Sequence, residues 1–200
     1  MGRKVENKAT KVEETSKNNY EDSLQAIAVA STGDSARLVV LHGDVNEASI
    51  SIVVAQLLHL ASQNHKPIHL VISTYGGSVD EMFMLYDTIK FLPCPVHTIA
   101  LGKVMSAGVL LLAAGTKGQR KIGKHCRVMI HSVLAGNEGP IHSLENEMNE
   151  IRWTQDRYIN ALIAETKLTQ TTMKKLLEKH VNIYLSAEEA VKYGIADEVI

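Results

Sequence analysis

The sequence predicts an α/β domain built on a mainly parallel sheet. Three observations predict it. Short apolar runs rich in β-branched residues alternate with longer segments of helical periodicity. The first three such runs each close on glycine, where a strand must turn before a helix. Finally, 200 residues, 45% hydrophobic and 22% charged, are enough for one well-buried core and short for two. Alternating β and α elements join parallel strands through right-handed crossovers, so they stack as β-α-β units.

The elements follow in order. "RLVVLHG" (37–43) is a short buried strand. Residues 46–64 carry Ile50, Val53, Val54, Leu57 and Leu58 at helical spacing. "KPIHLVISTYGG" (66–77) is the second strand, and 78–92 the second helix, through Met82, Leu85, Tyr86 and Ile89, stopped by "PCP". "VHTIALG" (96–102) is the third strand and feeds "GKVMSAGVLLLAAG" (102–115), whose helix ends at Gly115. "RVMIHSVLAGNEG" (127–139) reads as a strand running into a glycine-containing extension. A long amphipathic helix follows over about 141–165, with Ile141, Leu144, Met148, Ile151, Tyr158, Ile159 and Leu162 on its apolar face. Residues 169–180 form a further short helix, and 186–200 a last helix closing at Gly194 before a terminal strand. Residues 1–25 are polar and aperiodic and are expected to be a flexible tail, leaving 26–200 as a single domain.

Composition narrows the function. A net charge of −1 gives no overall attraction to nucleic acid or an anionic membrane, and 4% aromatics offer no base-stacking surface. Cys94 and Cys126 make neither a disulfide framework nor a metal spacing. No metal or cofactor is expected. The N-terminus has no apolar signal core, Glu6 stands where a myristoylation signal needs Ser or Thr, and no apolar run is long enough to span a bilayer. A cytoplasmic location is the expectation. "GQRKIGKH" (118–125) nearly fits a phosphate loop, but His125 cannot supply the Mg²⁺-ligand hydroxyl and the next residues read as strand, not helix. A basic hairpin turn is expected there.

Ser106 is the one polar side chain in its segment apart from Lys103, and it stands where a strand hands over to a helix. Such a serine suits a helix N-cap. It equally suits a nucleophile, because unpartnered amides at the helix start can hold an oxyanion. The lipase-type G-x-S-x-G elbow is not matched, since Val104 occupies its first position. Gly76 and Gly77 end the preceding parallel strand, so they should lie on the same sheet edge and let backbone N–H groups approach a ligand. His131, at the end of another strand, is the best general-base candidate among nine histidines, and a hydrogen-bonded core histidine is the plain alternative.

"GGSV", "YDTI", "GKVMSAGVLLLAAGTKGQRK", "RVMIHS" and "YLSAEEAVKYGIADEVI" together resemble the Clp protease proteolytic subunit (ClpP) family. The family run G-x-x-x-S-x-G-x-x-L-L-x-x-G-x-x-G-x-R falls on Gly102, Ser106, Gly108, Leu111, Leu112, Gly115, Gly118 and Arg120, and the similarity spans roughly 37–200. The resemblance implies a crotonase-like α/β fold with a protruding handle helix (about 133–165). It implies a serine endopeptidase, the proteolytic subunit of an ATP-dependent protease that degrades unfolded polypeptides. Ser106 would be the nucleophile, His131 the base, and Gly77 and Ala107 the oxyanion amides. The segment around Gly136 and Gly139 would pair with the substrate strand. Implied partners are further copies of the chain in two stacked heptameric rings and an AAA+ unfoldase ATPase.

The sequence departs from the family at three places. The position of the third triad member, usually aspartate, is Asn182, and the arginine usually following is Ile183. An asparagine oxygen can still orient the histidine but cannot supply charge for the imidazolium; in trypsin an Asp-to-Asn change lowers kcat by about 10⁴. A weakened peptidase is expected, with a catalytically impaired ring subunit that assembles with an active partner as the alternative. The family's Ser-Pro-Gly-Gly reads Thr74-Tyr75-Gly76-Gly77 here, which alters the turn while keeping both glycines, and the N-terminal segment is unlike the family's pore loops.

Overall fold

The computed structural model describes residues 37–136, 138–177 and 182–200. The expected tail (1–25) and the start of the expected domain lie outside them.

Alternation becomes a seven-stranded sheet. Strands β1 (Leu38–His42), β2 (Ile68–Thr74) and β3 (Val96–Met105) are joined by helices α1 (Glu47–Gln63) and α2 (Val79–Phe91). Helix α3 (Ala107–Ala113) leads to β4 (Lys121–Ile122) and β5 (Arg127–Ile130). Then come α4 (Ile141–Glu165), α5 (Gln170–Leu177), β6 (Ile183–Leu185), α6 (Ala187–Lys192) and β7 (Glu198–Val199). The order is β1-β2-β3-β4-β7, with β5 pairing both β3 and β6. Every pairing among these strands is parallel except β5 with β6.

β3 serves two partners in succession. Its first half pairs β4 through Ile99 and Ala100, and its second half pairs β5 through Lys103, Val104 and Met105. The change happens at a bulge: β2 advances from Ile72 to Thr74 while β3 advances from Ala100 to Val104. Gly102, at φ 70°, allows it. The glycine that reads as a strand end is therefore a bend inside a longer strand. The basic hairpin expected at 118–125 is also corrected. β4 lies between β3 and β7, parallel to both, and is not paired to β5. The turn before it exists to bring Arg120 indoors, where its guanidinium meets Asp197 at 2.5 Å.

The helices start where their caps say. Asn46 and Ser49 form a capping box at α1, as Ser186 and Glu189 do at α6. α1 buries Ile50, Val53, Val54 and Leu57 on the sheet, but Leu58 is exposed, because four residues per two turns already fill the stripe. In α4 only the second half packs: Tyr158, Ile159 and Leu162 are buried, whereas Ile141, Leu144 and Met148 face outward. Cys94 and Cys126 are both buried and unpaired. Among the described residues no helix is long and apolar enough to cross a membrane.

Candidate active site

The C-terminal ends of β2, β3 and β5 meet at one place because the strands run parallel. β3 delivers Ser106, β5 delivers His131 and β2 delivers the Gly76–Gly77 turn.

Ser106 sits at φ 53°, ψ −121°, and among the described residues it is the one non-glycine with positive φ. That conformation costs about 1–3 kcal/mol for a side chain with a Cβ and persists only where its surroundings impose it. They do so from both sides of the peptide. The Ser106 N–H donates to the Met129 carbonyl (2.8 Å), and its carbonyl accepts from Val109 N–H (3.0 Å) and from the buried Tyr158 hydroxyl (3.1 Å). The hydroxyl makes no N-cap bond to α3. It lies instead 2.7 Å from His131 Nε2. Burial holds the imidazole below its ordinary pKa of 6.5, so the ring is neutral at neutral pH. In its Nδ1–H tautomer, Ser106 Oγ–H donates to Nε2.

The glycines are required by closeness. A Cβ on Gly76 (φ 103°) would stand 2.6 Å from Ser106 Cβ and 2.9 Å from the Met105 carbonyl. One on Gly77 (φ 151°) would stand 2.2 Å from the Val45 carbonyl oxygen. Gly76 is pinned by its N–H to Thr74 Oγ1 (2.9 Å) and by its carbonyl to Val45 N–H (2.9 Å). That leaves the next amide, Gly77 N–H, without a turn, loop or cap acceptor among the described residues, as is Ala107 N–H at the first position of α3. Gly76→Ala is expected to push Ser106 off His131 and lower turnover at least about 10²-fold. Hydrolysis of a fluorogenic peptide by the folded variant checks it.

Ser106, His131, Gly77, Val79, Met82 and Tyr158 line one pocket of about 370 Å³. Asn182 is not bonded to the imidazole; it is exposed, immediately before β6. Its position is nevertheless informative. β6 runs antiparallel to β5, and their register ends with Ile183 opposite Ile130, the residues next to Asn182 and His131. The 131–136 segment has no regular structure, and its Val133 N–H is taken by the Gln155 side chain of α4 at 2.6 Å. Gly136 and Gly139 are exposed.

Two supporting residues escape sequence reasoning. Tyr158 reads as one apolar position among many in α4, and its hydroxyl is the sole hint that it has a polar partner. Gln155 gives no signal at all. Among the described residues no group of three or more His, Cys, Asp or Glu could hold a metal ion. Residues 21–200 match the family model described as Clp protease.

Proposed function

We propose, from the premise that the chain belongs to the Clp protease family, that it is a serine-type endopeptidase acting through Ser106 and His131. The observation that carries this is the 2.7 Å contact between Ser106 Oγ and His131 Nε2, at a serine held in a strained backbone conformation beside an apolar pocket. A serine placed only for capping or packing has no reason to adopt positive φ or to spend its hydroxyl on an imidazole.

In this reading Ser106 Oγ attacks the scissile carbonyl while His131 Nε2 takes its proton. Gly77 and Ala107 N–H groups receive the oxyanion. The imidazolium then protonates the departing amine as the C–N bond breaks, leaving an acyl-Ser106. Water, deprotonated by His131, attacks that ester and frees the serine. The pocket walls Val79 and Met82 favour an apolar side chain next to the cleaved bond. Asn182, which is not bonded to the imidazole in this structure, would orient it by accepting from Nδ1–H; the β5–β6 register that ends at their neighbours Ile130 and Ile183 supports this role. As in the family, unfolded polypeptide is the substrate, an AAA+ ATPase delivers it, and copies assemble as two stacked heptameric rings in the cytoplasm. The outward-facing Ile141, Leu144 and Met148 of α4 are suited to such contacts.

Fluorophosphonate labelling tests the reading: a covalent adduct on Ser106 is expected, and its absence in assembled protein would overturn it.

The pH profile reads the base. Hydrolysis needs neutral His131, which is lost as pH falls through its lowered pKa, so the acid limb of kcat/KM is expected to have its midpoint below 6.5. Asn182→Asp adds a negative charge across the ladder and favours the imidazolium. It is expected to move that limb to higher pH and raise kcat at least about tenfold. Asn182 also favours the second reading, an impaired ring subunit. Unsubstituted protein that is silent alone, but active as Asn182→Asp, would select it.

A further inference from the structure

The open face of the sheet leading to Ser106 and His131 carries a second pattern. On β3 and β5 the residues of this face alternate with buried Val104, Val128 and Ile130. Met105 and Met129 are paired in register next to the catalytic pair, and Lys103 and Arg127 are paired one step further back. Two cations therefore stand directly across a strand pair, an arrangement that costs stability unless an anion is near. Elsewhere the sheet neutralises its cations: Arg120 pairs with Asp197 and Lys121 with Glu198. Among the described residues neither Lys103 nor Arg127 has a carboxylate within ion-pair distance.

Each is instead held by an aromatic ring. Lys103 Nζ lies 4.4 Å from the centroid of Tyr75, and the Arg127 guanidinium 5.6 Å from that of Tyr184. Both rings are about half exposed or more, at 64% and 48%. Tyr75 also lines the pocket that holds Ser106, so the cationic shelf is continuous with it. A ring face fixes a cation's position without neutralising it. Fixed, unpaired charge beside a reaction site is a binding element for the opposite charge.

We propose that Lys103 and Arg127, steadied by Tyr75 and Tyr184, form a subsite for acidic side chains of the polypeptide substrate. Lys103 is three residues before Ser106 along a strand, about 10 Å, and Arg127 four before His131, about 13 Å. An extended peptide rises by about the same amount per residue, so the acidic residues lie three to four positions from the scissile bond. The inference rests on the peptidase reading for what occupies the site, but binding alone tests it.

The test uses full-length Ser106→Ala protein and fluorescence anisotropy. The probes are labelled decapeptides of one composition with a single Leu, carrying two Glu or two Gln at three and four residues before or after it. At about 50 mM salt the Glu peptide of one placement is expected to bind about three- to tenfold tighter than its Gln counterpart. That ratio should fall toward one at about 300 mM salt and in Lys103→Gln/Arg127→Gln protein. Salt dependence needs no shelf substitution, so it stands even if the double variant fails to fold. Equal binding of Glu and Gln peptides at both placements overturns the proposal, as does a ratio that survives the double substitution. Hydrolysis by the unsubstituted chain is scored separately: its absence alongside an intact acidic preference would sink the peptidase reading and leave the shelf.

Discussion

Replacing Ser106 by alanine is expected to lower kcat for peptide hydrolysis by about 10⁴- to 10⁶-fold, because the nucleophile and its base act as a unit. Alanine keeps the Cβ and therefore the strain of φ 53°. Ser106→Gly removes both hydroxyl and Cβ, so it should be equally inactive yet more stable, by about 1 kcal/mol. The pair of variants separates two roles that a single substitution confounds. Turnover measures the hydroxyl, and the thermal midpoint measures the backbone. A glycine variant no more stable than the alanine one would mean that the surroundings of Ser106 do not hold it under strain. An alanine variant retaining more than a small percentage of turnover would mean that the hydroxyl is not the nucleophile.

The second large effect lies away from the pocket. Asp197→Ala is expected to cost about 3–5 kcal/mol, since it leaves the buried Arg120 guanidinium without its counter-charge. Asp197 Oδ2 also accepts from Gly118 N–H (2.7 Å), Arg120 N–H (3.0 Å) and Arg120 Nε (2.8 Å), so the loss extends to the turn before β4. Arg120 in turn donates to the Glu165 and Ala113 carbonyls, at the C-terminal ends of α4 and α3. Those are the two helices that hold Ser106, so a destabilised variant should lose activity as well as stability. The Arg120 hydrogen bonds hold the Asp197 carboxyl down at about 2, against an ordinary 3.8. The sign follows from linkage. Stabilisation is complete above pH 3.8 and is lost as pH falls through 2, an interval of about 2 kcal/mol. Denaturant midpoints measured down to pH 2 should show this acid slope in the unsubstituted protein and not in Asp197→Ala.

Much of the fold was legible because the physics that forms it is local. Periodicity marked all the long helices, and α4 runs over the 141–165 span that its apolar spacing indicates. Gly76 and Gly77 marked the end of β2 that faces the site. The exceptions are non-local. β4 and β6 have two and three residues and no periodicity of their own; their hydrogen bonds are made to distant strands. The extension of β3 past Gly102 depends on β5 arriving as a new partner. Leu58 is as apolar as Leu57, and only the position of the sheet decides which of them is buried.

The site divides in the same way. The chain by itself determined which chemistry is present: a hydroxyl before a helix start, paired glycines at one strand end and an imidazole at another. Residue types and short spacings are properties of the covalent chain, so they survive being read one residue at a time. Tertiary structure alone decided that the hydroxyl turns away from its helix toward His131 and that Tyr158 locks its peptide. It also decided that β6 pairs with β5 up to Ile183 and Ile130, the neighbours of Asn182 and His131, and that Lys103 and Arg127 share one face. Those facts are distances between residues tens of positions apart, set by strand register and by which partner each strand finds, and no local propensity encodes them.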